Sequence, residues 1–143
     1  MDKGDGSADV WTDMWMPNQQ APWDKYIEDA GTVAHNQPYA GTQQMYVPSY
    51  MADQIKSFED LKDPAVAAMF DKDGNGKGEY WAGDASWKST KIWQVKMKSY
   101  GLSELWEPEI ISDATFKAQL KTSYGNQKPI LFYYWPPEWI HAA

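Results

Sequence analysis

The chain has 143 residues, enough for one well-buried core and too few for two ordinary domains. Its net charge is −7, and all 13 of its basic residues are lysines, so the two-pronged guanidinium grip on phosphate and guanine is missing and nucleic acid is excluded as a partner. It contains no cysteine, which excludes disulfides and thiolate chemistry, and no apolar run approaches the length of a membrane span.

Met1–Gly6 is polar and does not read as a secretory signal. Ala8–Trp15 alternates as a strand does and stops at Pro17. Pro22–Ala30 reads as a short helix with proline near its start and Gly31 at its end. Two further strands are expected at Thr32–Asn36 and Gln43–Val47. Ser57–Asp60 resembles a capping box opening a turn of helix, and Pro64–Phe70 continues as a second short helix. Asp71–Gly78 is a Gly/Asp loop leading into a strand over Glu79–Trp81. The best helix is Trp87–Tyr100, closed by Gly101. On it Ile92, Val95 and Ser99 form one stripe and Trp93, Met97 and Tyr100 the next, while Lys88, Lys91 and Lys98 take the outer face. Another helix runs over Asp113–Tyr124 and ends at Gly125, and Pro129–Trp135 is the strongest strand. Strands alternating with helices predict an α/β layered fold.

Nine Trp and nine Tyr are more rings than a core of this size ordinarily uses, and rings offer cation-attracting faces. Trp15, Trp87 and Trp135 stand apart because each falls at a strand end or a helix start. In open α/β sheets ligands bind beyond the carboxyl ends of strands. Indoles converging there suit an ammonium group whose methyls leave it no hydrogen to donate. A carboxylate on the same ligand finds donors in the free amides at the start of the Trp87 helix, at Lys88 and Ser89, and in the Gln19 side chain. The more ordinary reading is that these indoles are core or surface residues beside turn-forming prolines.

Several stretches resemble, in order, the glycine betaine/proline betaine (choline) substrate-binding proteins of ABC transporters. They are Ala8–Pro17, Leu61–Asp71, Asp73–Lys77, Trp87 and Phe132–Trp139. The resemblance implies a three-layer α/β lobe of a type II periplasmic-binding-protein-like fold, with a mixed sheet and flanking helices. It implies that residues 1–143 form a single domain like that family's inserted second lobe, with crossover strands at both ends. It also implies a betaine or choline ligand in a box of Trp15, Trp87 and Trp135, with the Lys88 and Ser89 amides receiving the ligand carboxylate. The family's prototype has His where Gln19 falls and Gly-Cys where Lys88-Ser89 fall. Family members are about twice this length and work outside the inner membrane.

No enzyme chemistry is expected, and no cofactor. His35 and His141 stand alone without zinc spacing, no serine lies in a nucleophile-elbow context, and Glu107 and Glu109 read as a solvated face. Asp71, Asp73, Asn75, Lys77 and Glu79 match positions one, three, five, seven and nine of a calcium loop, with Gly76 at six. Position twelve is Ala82, so calcium there would need a carboxylate from elsewhere; a solvated turn uses the same composition. Trp11, Trp23, Trp81, Trp93, Trp106 and Trp139 are expected in the core or on the lobe surface. A cleft face lacking its second lobe predicts association, either as a homodimer or as an interaction module of another kind, with permease contacts left open.

Overall fold

A computed structural model describes residues 10–38 and 40–141. The chain forms two compact units, Met1–Ala40 and Gly41–Ala143. No described helix is long and apolar enough to cross a membrane.

In the first unit, α1 (Gln20–Trp23) runs directly into a π-helical segment, Asp24–Asp29. The helix therefore starts two residues before the proline that the sequence suggested as its start. Pro22 is tolerated at the third position because the first amides of a helix have no intrahelical acceptor to lose. Gly31 follows with φ +60. The strands expected at Ala8–Trp15 and Thr32–Asn36 are not formed: residues 10–15 and 32–36 make no ladder, and Ala8 and Asp9 lie outside the described residues. Alternation alone does not make a strand without a partner to take its backbone hydrogen bonds. His35 packs against Trp23, ring centroids 4.8 Å apart.

The second unit is built on a four-stranded mixed sheet in the order β1–β4–β2–β3, comprising β1 (Gln44–Tyr46), β2 (Gly78–Trp81), β3 (Trp106–Glu109) and β4 (Leu131–Tyr134). β2 is central and pairs in parallel with β3 and β4, while β1 closes one edge antiparallel to β4. The helices are α2 (Pro64–Ala68), α3 (Lys88–Ser99) and α4 (Asp113–Gly125), with short 3-10 turns at Ser49–Met51, Asp60–Lys62 and Trp139–His141. Asp63 caps α2, its carboxylate accepting from the Ala65 amide at 2.8 Å. The expected capping box is present: the Asp60 carboxylate accepts from the Ser57 amide, and the Ser57 hydroxyl accepts from the Glu59 amide.

Side-chain alternation sorts the sheet into two packed faces. Tyr80, Leu131 and Tyr133 meet Trp93 and Met97 of α3 together with Met51 and Leu61. Trp81, Phe132 and Tyr134 meet Phe116 and Leu120 of α4. Helix, sheet and helix thus make the three layers that the family resemblance implied. On the second face Trp81 and Phe116 lie parallel at 3.8 Å. The buried indoles keep their polar handle satisfied: Trp106 Nε1 donates to the Leu61 carbonyl at 2.8 Å and Trp81 Nε1 to that of Ile111 at 3.1 Å.

Two local expectations need correction, and one strand was not expected. On α3 the Trp93–Met97 stripe is buried, whereas Val95 and Tyr100 are exposed, because the helix presents only a narrow face to the sheet. Gly101 does close α3, with φ +75, but α4 incorporates Gly125 and the positive φ falls on Gln127. Strand β3 carries no strand signal because Pro108 sits inside it; at a sheet edge the missing amide costs no ladder bond.

Burial pushes the phenols of Tyr80 and Tyr134 up to about 12, from 10.0. Below pH ~10 both are neutral whether folded or not. Above it the unfolded chain releases protons that the folded protein retains, so stability falls as pH rises from about 10 towards 12. Spectrophotometric titration followed alongside circular dichroism is expected to show a late group of tyrosines ionising together with unfolding. Titration of all nine tyrosines in one ordinary phase, with the fold intact, contradicts this burial.

Candidate functional site

Because β2 and β4 are parallel neighbours, their carboxyl ends emerge side by side, and each delivers a tryptophan. Beyond β2 the chain turns through Gly83, Asp84 and Ser86 into α3. The Asp84 carboxylate accepts from the Ser86 amide at 2.9 Å and its hydroxyl at 2.8 Å, and these bonds hold its pKa below the ordinary carboxylate value. The Asp84 carbonyl accepts from the Trp87 amide at 3.0 Å and the Thr90 hydroxyl at 2.6 Å. Trp87 is thereby fixed as the first, extended residue before α3 (φ −82, ψ 137).

Gly83 makes that turn feasible. Its φ is +118, and a Cβ there would lie 2.7 Å from Thr90 Oγ1 and 3.0 Å from the Trp87 ring. No side chain caps α3. The amides of Lys88 and Ser89 therefore point out of its N-terminus, where the helix dipole favours negative charge. Lys88 is exposed and Ser89 buried.

Trp135 follows β4 directly and lies flat on Tyr134, centroids 4.4 Å apart and planes within 5°. Tyr134 is itself held from below: its hydroxyl donates to Asp113 at 3.2 Å, and Lys117 pairs with the same carboxylate at 2.9 Å. That hydrogen bond raises the Lys117 pKa. Trp87 and Trp135 meet at 5.4 Å with their planes at 64°, and Trp87 also touches Trp81 edge-on at 5.7 Å. The two half-buried indoles form two walls of a corner, and the residues behind them are already packed.

Trp15 and Gln19 belong to the first unit and hold each other: the Trp15 amide donates to Gln19 Oε1 at 2.9 Å, and the Gln19 amide to the Trp15 carbonyl at 2.9 Å. Trp15 Nε1 donates to Asp13. Trp15 therefore enters a turn before α1 and does not end a strand. The sequence did not single out Trp81 or Tyr134 as supports. Tyr134 had a signal in its adjacency to Trp135; Trp81 had none, since its partners are distant in the chain.

The Asp71–Glu79 loop brings carboxylates of Asp71, Asp73 and Glu79 within 4.8 Å of one another. They are engaged by the loop itself: Asp71 accepts from the Gly74 and Gly76 amides, Asp73 from that of Asn75, and Glu79 from that of Lys72. Asn75 accepts from the Lys77 amide through its side-chain oxygen, and the Lys77 ammonium reaches the Ser103 carbonyl. These bonds account for the loop's shape as a nest of Asx turns.

Residues 4–143 match the family model for the substrate binding domain of ABC-type glycine betaine transport systems. The chain belongs to this family of glycine betaine substrate-binding domains. Membership places it among transporter binding domains and not among enzymes. The glycine betaine/proline betaine-binding periplasmic protein of Salmonella typhimurium is 29% identical over 86 residues, covering 60% of this chain and 26% of that protein. The Escherichia coli protein of the same description is 28% identical over 103 residues, 70% of this chain and 31% of that protein. The stretch matched in this chain thus spans between a quarter and a third of these relatives. Among solved structures, the glycine betaine/L-proline-binding protein of Borrelia burgdorferi superposes with a TM-score of 0.60 at 25% identity, over 71% of this chain and 35% of that one. A choline-binding protein of an ABC transporter, solved with choline, superposes with a TM-score of 0.61 at 24% identity, over 90% of this chain and 43% of that one.

Replacing Gly83 by alanine forces both a positive φ and a clash with Thr90, a cost of about 1–3 kcal/mol or more. The Gly83→Ala variant is expected to melt earlier and to lose part of the near-UV signal of Trp87. Unchanged melting and unchanged near-UV dichroism contradict the role given to this turn.

Proposed function

We propose that the chain binds a small quaternary ammonium compound, glycine betaine or choline, as the substrate-binding part of an ABC importer, and that Trp87 and Trp135 hold its methylated nitrogen. The supporting observation is the pair of indoles set 5.4 Å apart at 64° beyond the carboxyl ends of two parallel strands. A methylated ammonium presents no donor, so ring faces are its natural receptor. Each face contributes about 0.5–1 kcal/mol when exposed and about 2 kcal/mol when water is excluded. Family membership supports the ligand class, since the matched model describes glycine betaine transport.

The amides of Lys88 and Ser89 are the proposed receptors of a betaine carboxylate, by the usual preference of helix N-termini for anions. Choline has no such group, so the helix end discriminates between the two ligands while the indoles serve both. The assignment of Trp15 and Gln19 to the same box rests on the sequence resemblance, and a Trp15→Ala variant tests it separately. No cofactor enters this binding.

Titration of glycine betaine and of choline, followed by tryptophan fluorescence and calorimetry, is expected to saturate for at least one of them. Trp87→Ala and Trp135→Ala should each weaken binding about two- to thirtyfold. Lys88→Pro removes one amide donor at a position where the preceding residue is already extended. It is expected to weaken betaine while leaving choline unchanged. Absence of saturation by either ligand, or full affinity in both tryptophan variants, contradicts the proposal.

A further inference from the structure

On the α4 side of the sheet, beneath the 3-10 turn at Trp139–His141, lies a pocket of about 520 Å³ to which neither Trp87 nor Trp135 contributes. Leu120 and Phe132 form its buried floor, and Tyr46, Trp139 and His141 its ring walls. Its volume falls in the range of roughly 300–1,000 Å³ that holds small organic ligands. Tyr46 lies beside its cross-strand partner Phe132 at 5.9 Å and meets His141 at 4.7 Å, so these rings pack on one another and offer their remaining faces to a guest with a flat apolar body.

The charge of the lining is the informative part. The chain carries 20 acidic residues and a net charge of −7, yet no Asp or Glu lines this pocket, and its one permanently charged side chain is Lys121. Among the described residues Lys121 makes no ion pair; its ammonium sits 5.0 Å from the Trp139 ring centre. An exposed cation on aromatic walls over an apolar floor complements an anionic head on a flat apolar body. The same lysine disfavours a quaternary ammonium at that spot.

We propose that this pocket is a second binding site, separate from the indole pair, for a flat organic anion such as an aryl carboxylate or sulfonate. Anilinonaphthalene sulfonate is a direct probe, with uncharged N-phenylnaphthylamine as its neutral counterpart. Both are expected to bind saturably to the folded protein, and excess choline is expected to displace neither. Lys121→Gln should weaken the sulfonate about two- to fivefold, as for an exposed charge pair, and leave the neutral probe unchanged. Ser49→Trp, which places an indole at the exposed rim, should abolish binding of both. Variants are compared where their near-UV dichroism matches the parent. Sulfonate affinity unmoved by Lys121→Gln, both probes still bound by Ser49→Trp, or displacement by choline overturns the assignment.

Discussion

The parallel pairing of β2 with β4 is the constraint on which the candidate site depends. A parallel pair brings two carboxyl ends to the same side of the sheet, and here each end is followed closely by a tryptophan. Were β4 antiparallel to β2, Trp135 would leave the sheet at the opposite end of the strands. The geometry of the indole corner is thus a consequence of topology before it is one of side-chain packing. Ligands of open α/β sheets commonly bind at such strand ends for the same reason: helix N-termini and strand ends converge there.

Packing then makes the corner rigid. Trp135 has one face on Tyr134, whose hydroxyl is tied to α4 through Asp113. Trp87 has an edge against Trp81, which lies flat on Phe116. The two indoles are therefore end members of an aromatic stack running into the α4-side core, and their positions are set by the buried Trp81 and Tyr134. Gly83 supplies the backbone freedom that lets β2 turn so soon into α3. Preorganisation of this kind lowers the ordering cost of binding.

Much of this was legible in the sequence. Segments with a strong local signature formed as expected: the Ile130–Tyr134 run gave β4, and α3 stops at the glycine placed to stop it. The resemblance of scattered motifs indicated the family. What was not legible depended on partners distant in the chain. Ala8–Trp15 has alternating side chains and Thr32–Asn36 also read as a strand, yet their described residues have no neighbouring strand to pair with. Trp106–Glu109 reads poorly as a strand because of Pro108, yet it pairs along β2 at an edge where that proline does no harm. At the candidate site, the placing of Trp87 and Trp135 beside turns was legible in the sequence, whereas the packing of Trp81 depends on contact with Phe116, 35 residues away in the chain.

The central claim is that a methylated ammonium rests against the indoles of Trp87 and Trp135 together. Intermolecular nuclear Overhauser effects from the N-methyl protons of bound choline or betaine to assigned indole protons test it most directly. The account predicts cross-peaks to both Trp87 and Trp135 in one complex. Cross-peaks confined to other aromatic residues, with none to either indole in a saturated sample, would contradict it.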